Sequence, residues 1–207
     1  VQGPTSTNLD QECQTGQDAN ERMDCRIVGL VNSIQDYWTE EYAARGSQYQ
    51  EATTTLFDGY VDTACGQATS EVGPFYCPAD QQVYLDMEFF REMSQRFKAA
   101  GDFAQAYVIA HEVGHHVQTL LGVSATVHQA RQCGPRIECA TGLLVRQELQ
   151  ADCLAGVWAF NAQKRLNWLE PGDIEEALNA ANAIGDDRLQ QQGQGRVVPD
   201  SFTHGTS

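Results

Sequence analysis

No apolar run in this 207-residue chain approaches the roughly 18 residues that a membrane-spanning helix needs. Basic residues are scarce: 13 Lys and Arg stand against 28 Asp and Glu, a net charge of -15. That balance argues against a fold-wide footprint for nucleic acid. It also argues against contact with an anionic membrane surface by this domain. No C-x-x-C pair occurs, so a zinc site held by cysteines has no spacing to support it. No signal peptide is visible and no Met opens the chain, which starts at Val1 with a polar Gly/Pro/Thr/Ser stretch and stops at "SFTHGTS". The expectation is a processed or truncated product from which any targeting segment has already been removed.

What is present is sufficient for one domain. Hydrophobic residues make up 42% of the chain, enough for a single core. Residues 1–20 are polar and read as a loosely packed lead-in, with one domain over 21–207. "IVGLVNSIQDYW" (27–38) carries apolar residues at helical spacing, and Gly46 marks a stop. Short Thr-rich and aromatic runs near 52–66 and 75–85 favour strands. "DFAQAYVIAHEVGHHVQTLLG" (102–122) is the clearest helix, with Asp102 as N-cap and Gly122 as its stop. "GLLVRQELQADCLAGVWAFNAQKR" (142–165) is a second long helix, and "PGDIEEALNAANAIGDDRLQQQG" (171–193) a third. The fold class expected is α+β, mostly helical, with a small sheet.

Seven cysteines are many for a cytosolic domain of this size. The expected arrangement is three local bridges, Cys13–Cys25, Cys65–Cys77 and Cys133–Cys139. Cys153, in the apolar helical context "LQADCLAGVWAF", is expected to be a buried free thiol. Six cysteines allow 15 pairings, so these are choices, not deductions. An oxidising, extracytoplasmic compartment follows from them: secreted, periplasmic or cell-surface.

"HEVGH" (111–115) sits within the clearest helix and is an H-E-x-x-H motif. Residues i and i+4 share a helix face, so His111 and His115 can reach one Zn²⁺. Glu112 lies beside such an ion, placed to take a proton from a zinc-activated water. Gly114 keeps the helix surface open where a Cβ would crowd substrate or a neighbouring helix. The metzincin extension fails, because Gln118 stands where its glycine belongs and Leu121 where its third histidine belongs. The next helix offers "RQELQADC" (146–153), in which Glu148 and Asp152 also share a face. Glu148 can complete a His₂Glu site, and Asp152 can accept the second ring N–H of His111 or His115. The other face of that helix reads as apolar: Leu143, Leu144, Leu149, Leu154, Val157 and Trp158. The bland alternative is a solvated helical face with an ordinary acid pair nearby.

These residues resemble the gluzincin-type zinc peptidases, with H-E-x-x-H followed by E-x-x-x-D on a later helix. More closely, the chain is similar to the bacterial "putative neutral zinc metallopeptidase" family. The stretches that carry the likeness are "CPADQQVYLDMEFF" (77–90), "AYVIAHEVGHHVQ" (106–118), "RQELQADCLAGVWA" (146–159), "PGDIEEALNAANAIGDDRLQ" (171–190) and "FTHGTS" (202–207). The resemblance implies a zincin-like fold, one Zn²⁺ per chain held by His111, His115 and Glu148, and Glu112 as the catalytic residue. It implies a peptide or protein substrate. Two rivals stay open: a non-catalytic binding module with structural or vestigial zinc, and a zinc amidase acting on cell-wall peptides.

An oxyanion donor is also needed. His204, Tyr84 and Tyr107 are the candidates. "QQVYLD" (81–86) is read, by analogy with zincins, as an edge strand that pairs with an extended peptide. His116, about 100° round the helix from His115, should pack or hydrogen-bond and not share the metal. His128 reads as a surface residue. Oligomeric state is left open.

Overall fold

A computed structural model describes residues 9–70, 72–96, 102–131, 137–167 and 169–184. Two short helices, α1 (Leu9–Glu12) and α2 (Gly16–Glu21), open the described chain and pack on α3 (Met23–Ala44). Thr15 and Asp18 form a capping box at the start of α2. Cys13 and Cys25 stand at disulfide distance, 2.07 Å between sulfurs, which ties this segment to the first turn of α3. Within the stretch 1–20, read from composition as a lead-in, residues 9–12 and 16–20 are helical and Cys13 is cross-linked to α3. Ile27, Leu30, Ile34, Tyr37 and Trp38 form the buried stripe of α3, and Gly46, at φ 72°, turns the chain away after it.

Five short strands follow: β1 (Thr53–Phe57), β2 (Tyr60–Thr63), β3 (Gly66–Thr69), β4 (Phe75–Cys77) and β5 (Gln82–Asp86). β2 and β3 make a two-stranded hairpin. The three-stranded sheet has the order β1-β5-β4, with β5 parallel to β1 and antiparallel to β4. "QVYLD" is therefore the central strand and not the edge strand expected from the sequence. The reason is visible in its side chains: Val83, Tyr84, Leu85 and Asp86 are all buried, the signature of a strand covered on both faces. Cys65 and Cys77 are bridged at 2.06 Å, which fastens the hairpin's turn to β4. The Asp86 carboxylate ends β5 and accepts the Glu88 and Phe89 backbone N–H groups at 3.0 and 3.2 Å, capping α4 (Met87–Arg96).

The remaining helices are α5 (Asp102–Leu120), α6 (Val123–Arg131), α7 (Ile137–Leu166) and α8 (Asp173–Ile184). α5 runs through the middle of the molecule. It touches α3, α6, α7 and α8 on its flanks and β4 and β5 on the sheet side. Nearly every side chain from Phe103 to Gln118 is buried, as expected of a helix with neighbours all round. Gly122, at φ 77°, separates α5 from α6. The architecture is α+β and mostly helical. No helix among the described residues is long and apolar enough to cross a membrane.

α7 differs from its expected polarity. Its buried face is Glu148, Ala151, Ala155, Trp158 and Ala162; of the expected apolar set Trp158 is buried and Leu154 packs partly buried on the core, but Leu149 and Val157 do not face inward. Leu149 is 61% exposed and Val157 40%. Small residues face α5 because the two helices approach closely there. A Cβ built on Gly114 would meet the Ala151 carbonyl oxygen at 3.1 Å and its Cα at 3.3 Å, both rigid backbone atoms. Cys153, two residues and about 200° beyond Ala151, is accordingly exposed and not buried as expected.

The Gly114 contact yields a stability prediction. Alanine there gains about 1 kcal/mol of helix propensity, which offsets much of the cost of a small helix shift. Valine gains less and adds two methyl groups against backbone. Gly114→Val is therefore expected to cost about 1–3 kcal/mol of overpacking, read as a lower urea midpoint with an unchanged slope.

Candidate metal centre

Buried polar groups need partners, and α5 carries six of them: Gln105, His111, Glu112, His115, His116 and Gln118. Two of these, His111 and His115, converge with Glu148 of α7. His111 Nε2 and His115 Nε2 lie 3.1 Å apart. Glu148 Oε2 lies 3.3 Å from the first and 3.4 Å from the second. All three residues are buried. The helical period sets this up. His111 and His115 are one turn apart on α5, and Glu148 is presented by the α7 turn beside the Gly114–Ala151 contact.

The remaining ring nitrogens are taken. His111 Nδ1–H donates to Asp152 Oδ1 at 2.8 Å, and His115 Nδ1–H donates to Gln118 Oε1 at 2.9 Å. Both Nε2 atoms are thereby left as acceptors aimed at the same point as the carboxylate. Three lone-pair donors so close repel one another unless a cation lies among them. Tetrahedral zinc with bonds of roughly 2.0–2.2 Å would place its ligand atoms about 3.4 Å apart, and the observed separations of 3.1–3.4 Å lie at or slightly below that figure. The donor set is therefore suited to zinc.

The electrostatics agree. Burial by itself would lower the His111 pKa. The hydrogen bonds to Asp152 and Glu148, with the charges of Glu112 and Glu148, reverse this and push it up to about 10. The pocket thus attracts positive charge, whether proton or metal. Burial opposes the charge on Asp152, but the His111 ring and the Tyr107 hydroxyl outweigh it and hold the carboxyl below its ordinary value. Tyr107 donates its hydroxyl to the same Asp152 oxygen. Burial first, then the Asp152 charge, keep that phenol well above its usual pKa, so it remains a donor.

Other expected residues fall elsewhere. Glu112 is buried next to His111, near enough for its charge to act on both His111 and Tyr107. His116 donates Nε2–H to the Gln50 carbonyl at 2.6 Å and accepts the Tyr76 hydroxyl on Nδ1 at 3.1 Å, outside the cluster. It stitches α5 to β4 and to the chain entering the sheet. His128 is exposed on α6. Tyr84 donates to Asp80 Oδ2 at 2.8 Å, and Tyr107 donates to Asp152. His204 lies outside the described residues, as does Cys133, and with it the expected Cys133–Cys139 bridge. Two residues of the cluster's surround were undervalued from sequence. Gln118 stood out only as a broken metzincin position, although its i+3 spacing from His115 is a contact spacing on a helix. Tyr107, at i-4 from His111, is the other.

An uncharacterized protein of Escherichia coli K12, YpfJ, is 54% identical over 178 residues, covering 86% of this chain and 61% of its own length. The uncharacterized protein Rv2575 of Mycobacterium tuberculosis H37Rv is 46% identical over 206 residues, covering 95% of this chain and 67% of its own. This chain thus spans about three fifths of the length of the E. coli relative. No solved structure matches it. The family model described as "Putative neutral zinc metallopeptidase" matches residues 2–207, its full span enclosing the cluster, and the chain belongs to that family.

Proposed function

We propose that the chain is a zinc endopeptidase, with one ion per chain held by His111 Nε2, His115 Nε2 and Glu148 Oε2. The observation that carries this reading is the 3.1–3.4 Å triangle of those three atoms with Glu112 alongside. When bound, zinc supplies a Lewis acid that polarises a carbonyl and brings the pKa of water near neutrality. Glu112 is the general base: its carboxylate takes a proton from the attacking water and returns it to the leaving amine. Asp152 accepts the His111 Nδ1 proton and fixes that ring. Burial of Glu112 limits the water that competes for its carboxylate.

A peptide or protein substrate follows from the family, whose description names a peptidase. The net charge of -15 sets the surface against nucleic acid. Two cysteine pairs at disulfide distance fit an extracytoplasmic setting.

The test uses the purified chain with a mixed peptide library read by mass spectrometry. Cleavage is expected, lost on chelation and restored by one equivalent of zinc. A fully zinc-loaded protein that cleaves no peptide in the library would refute the reading.

A further inference from the structure

We propose that Gln118 is a positioning residue: it selects the tautomer in which His115 presents Nε2 to the metal, and it sets His115 in register with Glu148. This inference rests on the zinc reading above. The Gln147 backbone carbonyl can only accept a hydrogen bond. The Gln118 amide nitrogen lies 2.7 Å from it and must donate. Its second N–H goes to Gln150 Oε1 at 3.0 Å. The amide orientation is thereby fixed, and Oε1 faces His115 Nδ1 at 2.9 Å. An amide oxygen only accepts, so Nδ1 must carry the proton and Nε2 must present its lone pair.

Burial makes the selection effective. Gln118 is 0% exposed, so water does not offer an alternative partner. The same amide reaches residues 147 and 150, which bracket Glu148 in sequence. One side chain on α5 thus grips the α7 turn that carries the third ligand. The two histidines are backed differently. His111 leans on a carboxylate, Asp152, and His115 on a neutral amide. A carboxylate makes its imidazole more basic, whereas an amide orients without adding charge. The site so keeps one anionic outer partner fewer than it would with two carboxylates.

The experiment compares the whole chain as wild type, Gln118→Leu and Gln118→Glu. Zinc affinity is measured by competition with a chromophoric chelator. The Co²⁺-loaded proteins are examined by proton NMR for exchangeable, paramagnetically shifted Nδ1–H signals. Wild type should give one such signal from each histidine. Gln118→Leu should bind zinc roughly 10- to 100-fold more weakly, the usual effect of losing an outer partner, and should lose the His115 signal to solvent exchange. Gln118→Glu keeps an acceptor for Nδ1 but cannot donate to the Gln147 carbonyl. It should retain the His115 signal and bind zinc more tightly than Gln118→Leu.

A purely space-filling or helix-bridging role predicts that the two variants behave alike, and that outcome overturns the proposal. So does Gln118→Leu with wild-type affinity and both signals. Should neither variant fold, wild-type protein lacking a His115 Nδ1–H signal would still overturn it. Wild-type protein that binds no zinc would overturn the reading of the site itself, a failure distinct from these.

Discussion

Glu112→Gln is expected to lower kcat/KM by about 10²- to 10⁴-fold, the range for removing a positioned general base, while zinc content stays at one per chain. The substitution preserves shape and keeps a hydrogen-bonding oxygen, but an amide cannot accept the proton. Glu112 is buried beside His111 and is not one of the three converging donors, so its loss should spare the cluster. Two measurements on one preparation check this: turnover of any peptide that wild type cleaves, and metal by atomic absorption. Loss of zinc together with activity would make Glu112 a ligand. Full activity would assign the proton transfer to another group.

Glu148→Ala is expected to weaken zinc binding by more than about 100-fold, beyond the range for an outer partner. It removes one corner of the triangle and leaves two imidazoles, too few for a closed protein set. A thermal consequence follows by linkage. At zinc 100 times above its dissociation constant, wild type should gain about 2.7 kcal/mol of stability, and its melting temperature should rise accordingly. The variant should show little rise at the same zinc concentration. Calorimetry with and without zinc decides it. An undiminished shift in Glu148→Ala would place the third ligand elsewhere.

The site was more legible in the sequence than the fold around it. H-E-x-x-H converts directly into geometry because helix periodicity is rigid: positions 111 and 115 must share a face wherever the helix lies. Glu148 and Asp152 were readable for the same reason, once a second helix was evident. The orientation of that second helix was not. Leu149 and Val157 look like core residues, and the actual packing face is built from Ala151, Ala155 and Ala162. Hydrophobicity reports what prefers to be buried, whereas a close helix crossing selects for what is small. Gly114 was the available clue, since only its missing side chain allows the Ala151 backbone so near. The strand at 82–86 was found as a strand, but its place in the sheet depends on partners distant in sequence. Its unbroken apolar run, Val83 to Leu85, was the signal for a central position. Gln118 escaped notice because a polar residue on a helix looks solvated until a neighbouring helix covers it.

The Cys65–Cys77 bridge closes a covalent ring that contains β3, the segment after it and β4. A backbone cut inside that ring, by another protease or by a second copy of this one, leaves both pieces joined through sulfur. Residues 66, 67 and 72 in it are exposed, so the ring offers sites for such a cut. Nicked molecules would run as intact chains until a reductant was added, and the damage would be invisible to size alone.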